Sequence, residues 1–424
     1  MTVLQADDAA RRAVEAVWRI EAGRLVAGLT RMTRDFGLAE EVAHDALVLA
    51  LEQWPKAGIP ANPAGWLMTT AKRRAIDRHR REATHQRALQ VLSRDREIAE
   101  SADGSSAIDD AMDDQIRDDL LRLVFTACHP ALSLESRVAL TLRCVGGLTT
   151  PQIARGFLVS DATIGQRISR AKRTLQTEHA TFELPTPAEM RERLSSVLEV
   201  IYLIFNEGYA ATSGEQWMRP ALCHEALRLG RLVAGLAPGE PEVHGLVALM
   251  ELQSARIPAR ATSVGEPVLL QDQDRRRWDR LLIRRGIAAL ERAESTGRPV
   301  GAYSIQAAIA ACHARALTIE ETDWEHVAEL YEVLGDVWPG PVVELNRAVA
   351  MGMAFGPAAG LELVDALTDS RELRTYPMLP AVRADLLQKL GRTAEARREF
   401  EQAAALTQNE SERGILLRRA AECR

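Results

Sequence analysis

Two groups of side chains in this 424-residue sequence have the types and spacing to meet a polyanion. The first is Thr163, Gln166, Arg167 and Arg170, with Lys172 and Arg173 behind them. Their three- and four-residue spacing puts the first four on one helical face. There they can reach base edges in a major groove while the last two lie near phosphates. The second group is Lys72, Arg73, Arg74, Arg78, Arg80 and Arg81, of which Arg74, Arg78 and Arg81 share a stripe. So much positive charge on one helix repels itself unless a polyanion, or acidic groups elsewhere in the protein, lie against it. A third group is acidic. Glu41, Asp45 and Glu52 turn outward from a helix expected to bury Val42, Ala46 and Leu49, a face suited to a docking partner or to plain solvation.

The elements that must position these groups are legible as helices. Thr150 can cap and Pro151 can occupy the first position of a short helix with Ile153, Ala154 and Phe157 inward. Ser160 caps the next, whose inward stripe is Ile164, Ile168, Ala171 and Leu175. The pair reads as a helix-turn-helix, supported by a helix starting near Ser133 with Val138, Leu142 and Val145. Upstream, Leu25, Leu29 and Met32 mark a helix expected to break at Gly37, and Pro55 is expected to end the acidic helix. Asn62 and Pro63 start the basic helix, headed by Trp66 and Leu67.

Composition sets the frame. The chain is long enough for two to four domains, is 46% hydrophobic with few aromatics, and lacks runs of alternating polarity, so an all-α fold is expected. A net charge of −6 argues against a uniformly basic coat and leaves local patches to carry any phosphate contact. Five dispersed cysteines without a C-x-x-C pair fit reduced thiols. Three of them precede histidine, at Cys128-His129, Cys223-His224 and Cys312-His313, but neighbours on a helix point about 100° apart, which favours buried packing over a metal site. No hydrolase, zinc-protease or P-loop motif is present. The expectation is a cytoplasmic protein that is not an enzyme, with no cofactor, no metal and no membrane segment.

The order of acidic helix, proline-bearing loop, N-P-x-x-W-L and A-K-R-R-A-I-D-x-x-R-R resembles the second conserved region of extracytoplasmic-function sigma factors, and Thr149 to Arg173 resembles their fourth. The wording F-T-x-C-H-P-A-L from Phe125 to Leu132 and A-R-x-F-L-V from Ala154 to Val159 resembles a subgroup with a C-terminal tetratricopeptide-like extension. The resemblance implies that Glu41, Asp45, Leu49 and Glu52 dock on core RNA polymerase. It implies that Asn62, Trp66, Lys72, Arg73, Arg74, Asp77, Arg78 and Arg81 hold the promoter strand at the −10 element. It implies that Thr163, Gln166, Arg167, Arg170, Lys172 and Arg173 read the −35 element. Gly165 departs from the basic residue common in this class, at a cost in helix propensity and a lost phosphate contact.

The expected domains are 1–82 (second region), 83–117 (a flexible acidic linker), 118–182 (fourth region) and 183–424, a helical-repeat, tetratricopeptide-like extension bounded by Pro185 and Pro187. The extension ends in a repeat-like unit with Gly391, Arg392, Glu395, Ala396, Phe400 and Ala403. Stacked helices of this kind offer a surface for a protein or peptide partner. Asn206, Glu207 and Tyr209 are its candidate regulatory residues, set against ordinary capping of a buried helix. Arg275-Arg276-Arg277-Trp278 reads as a solvated turn, and Pro357 within Gly352, Gly356 and Gly360 as a loop with close packing. The alternative function is a helix-turn-helix operator-binding regulator with a helical-repeat scaffold and no polymerase contact.

Overall fold

The computed structural model describes residues 3–90, 109–157, 159–178, 180, 182–186, 189–210, 218–262 and 266–423. Among the described residues every regular element is helical, apart from one isolated bridge between Ala261 and Pro267. None of these helices is long and apolar enough to cross a membrane. The chain divides into two compact units, 1–200 and 201–424.

In the first unit, α1 (Val3–Thr33) stops at Arg34, whose φ of 54° is left-handed, and Asp35 caps α2 (Phe36–Ala57) by accepting from the Leu38 N–H. Gly37, expected to break the helix, therefore lies inside the first turn of α2. Met32 is exposed while Leu25 and Leu29 are buried. Pro55 does not end α2 either. It sits in the last turn, where its missing N–H forfeits one bond, and the helix closes at Gly58 (φ 87°), whose N–H reaches the Trp54 carbonyl. The small inward residues Ala39, Ala43, Ala46 and Ala50 are fully buried. They let α2 approach its neighbours closely.

Helix α3 (Pro63–Gln90) starts as expected, with Asn62 Oδ1 accepting from the Gly65 N–H at 2.9 Å. Then follow α4 (Asp109–Ala127), α5 (Leu134–Cys144), α6 (Thr150–Phe157) and α7 (Asp161–Thr177). Ser133 and Ser160 cap α5 and α7. The cap of α6 is Thr149, one residue before the one expected: it shares a reciprocal pair of bonds with Gln152, the Thr-x-x-Gln form of a capping box. The expected linker is helical at both ends. Residues 83–90 carry no glycine or proline, and Asp109, Asp110, Asp113 and Asp114 favour the N-terminal end of a helix dipole. Its central part, from Asp95 to Ser106, lies outside the described residues. Helix α8 (Met190–Tyr209) begins in this unit. Arg193 donates to the Phe125 carbonyl at 3.0 Å, and Ser196 accepts from Arg137 at 2.5 Å, so the unit extends beyond Pro185 to residue 200.

The second unit stacks consecutive helices. These are the rest of α8, α9 (Pro220–Leu236), α10 (Pro241–Ser254), α11 (Arg280–Ser295), α12 (Ala302–Arg315), α13 (Trp324–Val337), α14 (Pro341–Phe355), α15 (Pro357–Leu367), α16 (Met378–Lys389), α17 (Thr393–Leu406) and α18 (Glu410–Glu422). The expected loop at Pro357 is instead the start of α15, because proline suits the first helical position and Gly356 (φ 97°) makes the turn. The close packing does hold. A Cβ on Gly360 would stand 2.9 Å from Gly352 Cα. In the terminal pair, Gly391 (φ 77°) turns the chain and Ala396, Phe400 and Ala403 are fully buried.

Candidate DNA and polymerase interface

The basic helix finds its counter-charge inside the protein. Arg74 pairs with Asp45 at 3.1 Å and Arg78 with Glu41 at 2.9 Å, bringing two expected −10 residues against two expected polymerase residues. All four side chains are 41–49% exposed. Each pair is worth less than about 1 kcal/mol and can yield to a phosphate or a partner. Lys72, Arg73 and Asp77 are exposed, and Trp66 is half-buried with its ring edge-on to Trp54 at 5.6 Å. Asn62 remains exposed but spends its carbonyl oxygen on the helix cap. The side chain of Arg81 lies outside the described residues. On α2, Glu52 is exposed and Leu49 half-buried, and Val48 and Leu51 add apolar surface that the sequence reading missed.

Helix α7, which carries the expected −35 residues, sits on Ile164, Ile168, Ala171 and Leu175, all buried. Gln166, Arg170 and Arg173 are exposed, and Arg167 is half-exposed. Thr163 is partly committed to the cap, its hydroxyl 2.8 Å from that of Ser160. Lys172 differs from the rest. Its ammonium lies 2.5 Å from Glu40 Oε2, and the guanidinium of Arg143 lies 2.8 Å from Glu40 Oε1. Burial pushes the Glu40 carboxyl toward its neutral form, but the two cations outweigh it and hold the group below the usual carboxylate range. Beside it, burial and then Arg143 hold His44 below the usual imidazole value.

Glu40 and Arg143 had no place among the expected site residues. The only sequence signal was the Glu40-Glu41 doublet, in which one carboxylate must face inward when Ala39, Val42 and Ala43 are buried. A cleft of about 990 Å³ beside these residues is lined by Arg31, Arg34, Glu41, Arg78, Lys172 and Arg173 among others.

In the second unit, Asn206, Glu207 and Tyr209 belong to the last turn of α8 itself, so Asn206 does not cap it. Glu207 pairs with Arg219. Tyr209 stacks on Phe205 at 5.5 Å and lies under the Arg260 guanidinium, 3.4 Å from its ring centroid. Gly208 is required by α9, since a Cβ there would stand 2.7 Å from the Cys223 nitrogen. Glu207 and Tyr209 therefore tie α8 to its surroundings, while Asn206 contributes its carbonyl to the Ala210 N–H. Arg275, expected in a solvated turn, is only 4% exposed and donates to the carbonyls of His313 and Ala316 and to the Thr322 hydroxyl. A planar guanidinium can satisfy several carbonyls at once, which compensates its burial. Next to it, burial and then the charges of Arg256 and Arg275 push His313 down to about 3. All five cysteines are buried.

Comparison with known proteins agrees with this geometry. Residues 6–85 match Sigma-70 region 2 and residues 122–175 match Sigma-70, region 4, while residues 193–294 match a family of unknown function (DUF6596). An "Uncharacterized protein R00370" of Rhizobium meliloti (strain 1021) is 44% identical over 391 residues, covering 91% of this chain and 89% of its own. An "ECF RNA polymerase sigma factor SigK" of Mycobacterium sp. (strain KMS) is 32% identical over 165 residues, 36% of this chain and 76% of its own. The same-named protein of Mycobacterium tuberculosis (strain CDC 1551 / Oshkosh) is 32% identical over 151 residues, 34% of this chain and 74% of its own. With a region 2 match over α1 to α3, a region 4 match over α4 to α7 and these relatives, the chain belongs to the sigma-70 family, among the ECF-type sigma factors, and carries a large additional helical region on their C-terminal side.

Proposed function

We propose that this sigma factor binds core RNA polymerase through α2, holds the −10 strand along α3 and reads the −35 element with α7. The observation that carries the reading is the exposed ridge of α2, where Glu41, Asp45 and Glu52 stand among Val48 and Leu51. Carboxylates give steering and register, and the aliphatic area gives affinity. An operator-binding regulator with no polymerase contact has no use for such a ridge. The stacked helices of the second unit serve in this reading as a tetratricopeptide-like regulatory module that receives a protein or peptide partner.

The test is co-purification of the full chain with core enzyme, paired with run-off transcription, comparing the natural chain with Glu41→Lys and Asp45→Lys. Because both residues are half-exposed, the substitutions cost less than about 1 kcal/mol of surface pairing each and leave the fold intact. Loss of core binding with an unchanged helical signal supports the reading. Retention of core binding in the double variant refutes it.

A further inference from the structure

In a chain that is only 4% aromatic, the second unit gathers aromatic rings where α12 and α13 meet. On α13 and its C-cap, Trp324, Tyr331 and Trp338 recur every seven residues, two turns apart, and so share a face. On α12, Tyr303, Gln306, Ala310 and His313 fall at the three- and four-residue steps of one stripe. The two faces run in opposite directions. His313 lies edge-on to Trp324 at 5.1 Å and Tyr303 edge-on to Trp338 at 6.3 Å, while Tyr331, between these ends, packs against the apolar cluster that holds Ile305, Ile309 and Val327. From α8, Tyr202 closes one end, its ring 5.3 Å from that of Tyr303 and its hydroxyl donating to Gln306 Oε1 at 3.2 Å. Tyr303 to His313 makes a strip about 15 Å long at 1.5 Å per residue. Along it Tyr202, Tyr303, Tyr331 and His313 all keep part of their surface exposed.

The other end is cationic. The guanidiniums of Arg256, just past α10, and of Arg275 lie over the Trp278 ring, 5.5 and 5.2 Å from its centroid. Arg256 donates to uncharged acceptors, Gln253 Oε1 at 3.0 Å and Gln273 Oε1 at 3.4 Å, and Arg275 to two carbonyls and the Thr322 hydroxyl. Among the described residues neither is paired with a carboxylate, and the field of Glu320 and Glu321 reaches Arg275 from exposed positions. Neighbouring guanidiniums without a counter-charge carry an electrostatic cost that a bound anion removes. His313, pushed down to about 3, adds no charge at neutral pH, and its buried Nδ1 meets no hydrogen-bond partner. Burial pushes the Tyr331 phenol up to about 12, and Tyr202 and Arg256 both lie near enough to act on it, which sets this neutral donor between the aromatic and cationic ends. Gln306, in contrast, is used within the protein: its oxygen accepts from Tyr202 and its nitrogen donates to the Ala302 carbonyl at 3.2 Å. The polar groups left for a ligand are thus gathered at one end, which suits a compact molecule better than a peptide, whose main chain needs partners along its length. We propose that this strip binds a small organic anion, a carboxylate or phosphate monoester on a flat apolar body: the anionic group bonds the free edge of the Arg256 guanidinium and the Tyr331 hydroxyl, and the body lies along Tyr202, Tyr303 and Trp338. The site stands independently of the sigma-factor reading above and makes the second unit a receptor for a small molecule.

The test is isothermal titration calorimetry on the full chain with benzoate and phenyl phosphate as probes, benzyl alcohol as the uncharged control and an acetylated acidic tetrapeptide as the macromolecular one. The expected result is saturable binding of at least one anion, at least about tenfold tighter than benzyl alcohol, the usual weight of a hydrogen bond to a charged group. Arg256→Gln weakens that binding about tenfold or more and Tyr331→Phe about two- to tenfold. Arg276→Gln, at an exposed arginine paired with Asp274 in the neighbouring turn, leaves it unchanged. Tyr331→Phe removes one oxygen that has no protein partner among the described residues, so it decides the matter even where Arg256→Gln does not fold. No saturable binding of either anion up to about 10 mM, the affinity that ordinary ligand efficiency assigns to probes of this size, overturns the proposal. Binding that Tyr331→Phe leaves unaltered, or that benzyl alcohol matches, overturns it too, and capture of the peptide in place of both anions assigns the strip to a different ligand. These readouts need no polymerase and no DNA, so failure here is distinct from failure to bind core.

Discussion

Gly165 offers a test in which stability and DNA contact are read separately. It lies exposed within helix α7, the proposed reader of the −35 element, and a Cβ built on it meets nothing within 4 Å. Replacing glycine by alanine inside a helix gains about 0.8–1.0 kcal/mol. With no steric penalty to offset it, that gain goes to the first unit, which spans 200 residues. A gain of about 1 kcal/mol raises the melting temperature of a unit this size by roughly 2–4 °C. Gly165→Arg gains a comparable propensity and adds a cation seven residues, two turns, before Lys172 on the same flank of the helix. One new phosphate contact steepens the dependence of log affinity on log salt by about 0.9. Over a fourfold rise in salt this is an extra loss of roughly threefold in duplex affinity for the arginine variant, and none for the alanine variant. Differential scanning calorimetry and fluorescence anisotropy with a labelled duplex measure the two effects. A lower melting temperature for Gly165→Ala would refute the open, helical setting described here. An unchanged salt slope for Gly165→Arg would show that this flank of α7 does not meet phosphate.

Two further outcomes follow from the same physics. Gly360→Ala places a Cβ 2.7 Å from the Ala348 carbonyl and 2.9 Å from Gly352 Cα, rigid backbone on both counts, and should lower the denaturant stability of the second unit by about 1–3 kcal/mol; Gly414→Ala, where nothing lies within 4 Å, should raise it slightly. The stability of the first unit should fall as pH falls. His44 in the folded state titrates below its ordinary 6.5 and Glu40 below its ordinary 4.5, so in both cases the unfolded chain binds more protons; the His44 contribution is lost from about pH 6.5 downward and that of Glu40 from about pH 4.5 downward. The groups facing Glu40 are His44 on α2, Arg143 on α5 and Lys172 on α7. Urea unfolding at pH 7.5 and pH 5 measures the upper part of this slope. Equal stability at the two values, or a slope unaltered in His44→Gln, would contradict it.

The all-helical fold was legible because its signals are local. Ser160, Asn62-Pro63 and the Ile164-Ile168-Ala171-Leu175 stripe act within a turn or two, and each lies where the sequence places it. The failures at Gly37, Pro55 and Pro357 share one cause: glycine and proline are punctuation only at certain helix positions. The first turn and the last turn tolerate both. What the sequence could not reveal is long-range. The pairing of Arg74 with Asp45, the burial of Arg275 under carbonyls at the end of α12, and the meeting of Glu40 with residues 103 and 132 positions away depend on tertiary placement, which no helical period encodes. The same limit hid the most informative residue of the candidate site, since Glu40 reads as one more charge in an acidic helix.

The buried cysteines have a consequence for oxidative chemistry. Burial pushes the Cys128 thiol up to about 11 and the Cys223 thiol up to about 12, and Cys144 and Cys312 upward as well. At neutral pH a thiol titrating at 11 is ionised in only about one molecule in ten thousand, and the thiolate is the nucleophile that attacks peroxides and disulfides. Shielded from solvent and protonated, these sulfurs are slow to react while the helices stay packed. Oxidants can modify them only at the rate at which the surrounding helices open, so thiol oxidation in this protein times local unfolding and does not meter the oxidant.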